Sequence, residues 1–119
     1  MKVYPSVMGK SQKDIDKLFK KLEGVSKYIH LDVADGKFVP NKSLWFPFKL
    51  SKKFSYAAHL MVDDPLRWVE KHGTKVSVVV FNVEPIKNVE AVVNLIRKKK
   101  RKVGIAIKPE TSVTKIKKY

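Results

Sequence analysis

Two short stretches carry the residue types that do chemistry: IHLDVADG at positions 29–36 and AAHLMV at 57–62. Each reads as the late part of a strand. Side chains alternate faces along a strand, so Tyr28, His30 and Asp32 share one face while Ile29, Leu31 and Val33 share the other. By the same rule His59 lies with Ala57 and Met61. Parallel α/β folds put their active sites at the C-terminal ends of strands. Two imidazoles and a carboxylate meeting there are a nitrogen and oxygen donor set for a divalent metal. Ordinary hydrogen-bonded strand histidines fit the same spacing, and the pattern alone leaves both readings open. The third histidine, His72, falls in the last turn of a helix, where a cation favours the dipole and the role is structural.

The elements that position these residues alternate along the whole chain. Strands are expected at 2–6, 27–33, 55–61, 75–81 and 103–107. Between the first two, Ser11 caps a helix that buries Ile15, Leu18, Phe19 and Leu22 and ends before Gly24. Residues 43–50 form a short helical or irregular link. Asp64 and Pro65 open the next helix and Gly73 closes it. Ile86, Val89, Val92, Val93 and Ile96 repeat at helical spacing, and Thr111 or Ser112 starts a further helical pattern. Strand–helix alternation without hairpin signals means parallel βαβ units in one domain spanning 1–119. An open flavodoxin-like sheet and the first five units of a (β/α)8 barrel both fit that pattern. The turn PSVMGKSQ after the first strand lacks a glycine-rich phosphate cradle.

Composition narrows the chemistry. The 119 residues are 44% hydrophobic, enough for a packed core, and contain no cysteine, which excludes disulfides and thiolate metal sites. Neither a signal-peptide core nor an apolar run of membrane-spanning length occurs, so a cytoplasmic setting is expected. The net charge is +15, and 23 of the 26 basic residues are lysine. Sequence-specific nucleic-acid readers rely on arginine's planar fork, and only Arg67, Arg97 and Arg101 are present. The run RKKKRK at 97–102 reads as a helix end leading into a strand, so no specific nucleic-acid partner is expected. A lysine-rich surface still attracts anionic solutes.

Beyond these local readings, the blocks PSV, HLDVADGKFVPN, HLMV followed by DDP, FNVEP and GIAIKPETS resemble, in order and spacing, the ribulose-phosphate 3-epimerases. Related barrels that decarboxylate or condense sugar phosphates carry D-x-K-x-x-D, whereas Asp32 is followed by Val33, Ala34 and Asp35. The resemblance implies a (β/α)8 TIM barrel of the ribulose-phosphate-binding type, of which about five β/α units are present. It implies metal-dependent epimerisation of ribulose 5-phosphate to xylulose 5-phosphate in the pentose phosphate pathway. His30, Asp32 and His59 match ligands of a divalent ion, zinc or iron(II). Asp32 also matches one of two aspartates that exchange the C3 proton. Ser6, His59 and Met61 match substrate-contacting positions, and Gly36 and Asn41 belong to the loop after the second strand.

Departures from the family pattern are equally specific. Ala34 stands in place of a methionine, Asn82 in place of a histidine, and SLWFPFKL in place of a segment richer in glycine; Glu84 is retained. The second acid/base, the fourth ligand and the phosphate-binding loops come from seventh and eighth strands in that family. The reading frame is therefore expected to continue past Tyr119 for roughly 80–130 residues, given a typical barrel of about 250. Alternatives are a half-barrel that binds metal or sugar phosphate without turnover, an allulose-phosphate epimerase, and a basic nucleic-acid-binding domain. The expected partners are a sugar phosphate and, through an unpaired strand edge, further copies of the chain. No membrane is expected among the partners.

Overall fold

The computed structural model describes residues 3–119. Five strands run parallel in sequential order: β1 (Ser6–Val7), β2 (Tyr28–Asp35), β4 (Ser55–Met61), β5 (Val78–Asn82) and β6 (Lys102–Ala106). A two-residue strand, β3 (Lys42–Ser43), pairs antiparallel with the end of β2. Helices α1 (Gln12–Leu22), α2 (Pro65–His72) and α3 (Val89–Lys98) fill connections between the parallel strands. This is the architecture of part of a (β/α)8 barrel. A flavodoxin-like sheet reverses strand order at a switch point; here each parallel strand lies beside its predecessor, which removes that competitor.

Local chemistry explains where the helices begin. Ser11 Oγ accepts the Asp14 N–H at 3.2 Å, Asp64 Oδ1 accepts that of Arg67 at 3.2 Å, and Asn88 Oδ1 accepts that of Ala91 at 3.0 Å. Each bond supplies one of the first-turn N–H groups that a helix leaves without an internal partner. The apolar stripes then dock on the sheet: Ile15 and Phe19 from α1, Trp68 and Val69 from α2, and Val92, Val93 and Ile96 from α3 are buried. They meet Ile29, Leu31, Val33, Ala58, Leu60, Val79 and Phe81, the alternate residues of β2, β4 and β5. Removing such apolar area from water at about 25 cal/mol per Å² is the main force holding helices to sheet.

The opposite face of the sheet carries the intervening residues. His30, Asp32, Ala57, His59, Val78 and Val80 are all half-buried. Register places them in rows: Ser6 pairs with His30, Asp32 with His59, and His59 with Val80.

Several expectations shift in detail. The first strand was read at 2–6, and Lys2 lies outside the described residues; the strand is Ser6–Val7. The second strand runs two residues further, to Asp35. The fourth begins at Val78, not Lys75, because residues 73–75 form a 3₁₀ turn that prolongs α2. The link at 43–50 is irregular apart from Ser43 in β3. The pattern after Ser112 is a single 3₁₀ turn, Val113–Lys115.

Candidate metal centre

Strand period and register bring the three sequence-expected donors together. His30 and Asp32 project from one face of β2, and His59 from the same face of β4 directly opposite Asp32. His30 Nε2 lies 2.9 Å from Asp32 Oδ1, and the two imidazole rings meet edge-on with centroids 5.8 Å apart. One donor atom from each of the three residues falls within 4.8 Å of the other two. The side chains of His30 and Asp32 are 28% and 17% exposed, so a solute can reach them while much of the bulk solvent is excluded. Two imidazoles and a carboxylate at this separation fit a divalent cation that accepts nitrogen and oxygen ligands.

The candidate substrate positions surround this group. Ser6 is exposed on β1, level with His30. Met61 continues the His59 face two residues on, half-buried and level with Ala34. Ser6, His30, Asp32, His59 and Met61 thus occupy one face of three adjacent strands. Gly36 and Asn41 fall in the loop joining β2 to β3. At Gly36 φ is +78°, a left-handed conformation that the turn requires and that a side chain resists.

Two sets of contacts beside the donors escaped the sequence reading. Behind His59, Nε2 lies 2.9 Å from Asn82 Oδ1 at the end of β5. The Asn82 Nδ2 group donates to Glu84 Oε1 at 3.2 Å, and the Lys108 N–H beyond β6 donates to Glu84 Oε2 at 2.8 Å. Burial pushes the Glu84 carboxyl up, but the bonds from Lys108, Thr111 and Asn82 outweigh it and hold it below its ordinary value. Asn82 and Glu84 were visible as a family pattern; only the pairing of β4 with β5 reveals that Asn82 reaches His59 and that Glu84 holds Asn82.

The other set centres on Asp35, three residues after Asp32. Its Oδ1 accepts the N–H groups of Lys37 at 2.8 Å and Phe38 at 3.1 Å, and its Oδ2 that of Asp63 at 2.9 Å. Burial raises its pKa, yet these backbone bonds prevail and leave it below the ordinary carboxylate value. Asp35 therefore ties the loop after β2 to the loop after β4.

His72 needs a correction. Its ring packs on Phe48 and Trp68, with centroids 4.6 and 5.2 Å away. Burial, then the charges of Lys75 and Lys71, lower its pKa to about 4. At neutral pH it is an uncharged packing residue and not the dipole-favoured cation its helix position suggested. The basic run at 97–102 crosses from the end of α3 into β6. Within it Lys99 Nζ approaches Glu70 at 3.7 Å, and Arg101 donates to the Thr74 carbonyl at 3.3 Å. No helix among the described residues is long and apolar enough to cross a membrane.

A match to the ribulose-phosphate 3 epimerase family spans residues 2–119. The chain belongs to the ribulose-phosphate 3-epimerase family. Relatives give the same result. The ribulose-phosphate 3-epimerase of Mycobacterium leprae is 35% identical over 89 residues, covering 71% of this chain and 40% of the relative. That of Chlamydia trachomatis is 31% identical over 119 residues, covering 93% and 50%. The Treponema pallidum enzyme is 29% identical over 115 residues, covering 92% and 53%. The chain thus spans about half the length of the curated relatives it matches, or somewhat less. In this chain the parallel sheet supplies a His–Asp–His group that could hold a metal ion.

Proposed function

We propose that this chain contributes the metal-binding half of a ribulose-phosphate 3-epimerase site. In this reading His30, Asp32 and His59 hold a divalent cation, zinc or iron(II), and Asp32 moves the C3 proton of ribulose 5-phosphate. The observation that carries the proposal is the convergence of one donor atom from each residue within 4.8 Å on an accessible strand face. A bound cation supplies Lewis-acid stabilisation to oxyanions on the substrate.

The chain's own residues account for one side of the reaction. An Asp32 carboxylate oxygen takes the proton from C3, and the C3–H electron pair becomes the C2–C3 double bond of a cis-enediolate as the carbonyl π pair moves onto O2. Return of a proton to the opposite face of C3 gives the epimer, with no atom gained or lost. Among the described residues no other acidic side chain joins the cluster, and the family resemblance assigns the second acid to a seventh strand. Ser6 and Met61 border the same face, where they would contact the sugar from either side of the donors.

Metal analysis of the purified chain and of His30→Ala tests the ligand set. We expect about one equivalent of zinc or iron(II) in the parent and a loss of it in the variant; unchanged content would remove His30 from the site. The 119-residue chain alone is expected to leave ribulose 5-phosphate unepimerised. Robust turnover by a monodisperse preparation would show that the second acid is among residues 1–119.

A further inference from the structure

The residues behind His59 form a line of hydrogen bonds whose direction can be worked out from one end. Lys108 N–H can only donate, and it donates to Glu84 Oε2 at 2.8 Å. The ionised Glu84 carboxylate can only accept. Asn82 must therefore turn its NH2 group toward Glu84 Oε1, 3.2 Å away, which leaves its carbonyl oxygen facing the imidazole. That oxygen accepts, so the His59 nitrogen 2.9 Å from it, Nε2, must carry the hydrogen. A neutral imidazole holds one hydrogen, so Nδ1 is left with a free lone pair. The amide orientation, often ambiguous in asparagine, is here dictated by the carboxylate and not chosen by eye.

We infer that Asn82 and Glu84 are positioning residues that lock His59 in the Nε2–H tautomer and so commit Nδ1 as its ligand atom. The role as ligand rests on the proposed metal centre; the tautomer lock does not. Asn82 is 7% exposed and sits where β5 ends, and Glu84 is anchored from beyond β6, so the line spans three strands. It gives Asn82, at the end of β5, a definite task. Supporting hydrogen bonds of this type fix ring orientation and ligand basicity at metal sites.

The same logic yields a variant of reversed polarity. In Glu84→Gln the Lys108 N–H still requires an oxygen, which turns the new NH2 group toward Asn82. Asn82 then presents its oxygen to Gln and its NH2 to His59, Nε2 must accept, and the hydrogen moves to Nδ1. The measurement is the long-range ¹H–¹⁵N correlation spectrum of the metal-free chain at about pH 8.5, two units above the ordinary imidazole pKa. We expect His59 as Nε2–H in the parent, predominantly Nδ1–H in Glu84→Gln, and a mixture in Asn82→Ala, with the His30 signals as internal control. Zinc titration of the same samples should weaken roughly 10–100-fold in both variants. An Nδ1–H parent, or a parent-like tautomer in a well-dispersed Glu84→Gln spectrum, overturns the inference. Expected tautomers without zinc binding would support the lock and remove the metal reading instead. Zinc binding with an insensitive tautomer would do the reverse.

Discussion

Asp32 and Asp35 are carboxylates three residues apart on one strand, and they illustrate opposite uses of the same group. Three is an odd step, so strand alternation sends them to opposite faces. Asp35 is buried and accepts three backbone N–H groups from two loops. Its bonding capacity goes into holding chain segments together. Asp32 is partly exposed, and among the described residues its close partner is the His30 imidazole. Its capacity is left open toward a space that His59 also borders. Burial and saturation mark the structural carboxylate; the other converges with two imidazoles in a group that could hold a metal ion.

That contrast can be broken by exchanging effects. Asp32→Ala should weaken zinc binding at least about a hundredfold, beyond what loss of a supporting bond causes, while leaving the chemical-denaturation midpoint near that of the parent. Asp35→Ala should do the opposite: a loss of about 2 kcal/mol, from unpaired backbone donors, with zinc affinity little changed. Equal stability losses in the two variants would erase the distinction.

Acid sharpens it. The Asp35 pKa lies below its ordinary value in the folded chain. The stability it contributes is fully present above the unfolded carboxylate value of about 3.9 and is lost as pH falls through the lower folded value. Asp35→Asn should flatten this last acidic limb in a urea-denaturation series. A smaller effect, about 1 kcal/mol, is expected for Gly36→Ala, since the turn after Asp35 needs φ of +78° and Lys42 Cγ lies 3.0 Å from the added methyl. The smallest concerns His72. Its folded pKa is about 4 against an ordinary value of 6.5, so its contribution is complete above 6.5 and fades as pH falls toward 4. The ring is partly exposed, and solvent screening limits the change to about 1 kcal/mol. His72→Phe should remove that slope.

Much of this was legible in the sequence because it is local. Capping by Ser11, Asp64 and Asn88 follows from residues within one turn, although Asn88 was not singled out. The shared face of His30 and Asp32 follows from alternation, and His59 joined them through a second strand of the same kind. What could not be read depends on partners distant in the chain. Sheet order decides between barrel and open sheet, and periodicity does not encode it. The His59–Asn82 bond links residues 23 apart through register. The neutral state of His72 comes first from burial, and one of the rings packed on it, Phe48, lies 24 positions earlier. The Asp35 bond to Asp63 is likewise a contact between loops.

The ladder that pairs Asp32 with His59, His59 with Val80 and Val80 with Gly104 also decides where the chain tolerates added length. The row runs across strands, so its members are held by neighbours and not by the connections between them. Extra residues in the loops leading into or out of α1, α2 or α3 leave every rung where it is. One extra residue in β2 before Asp32, or in β4 before His59, turns the later side chains of that strand to the other face and separates the three residues. Added length in the connections is therefore expected to be tolerated where added length within β2 or β4 ahead of His30, Asp32 or His59 is not.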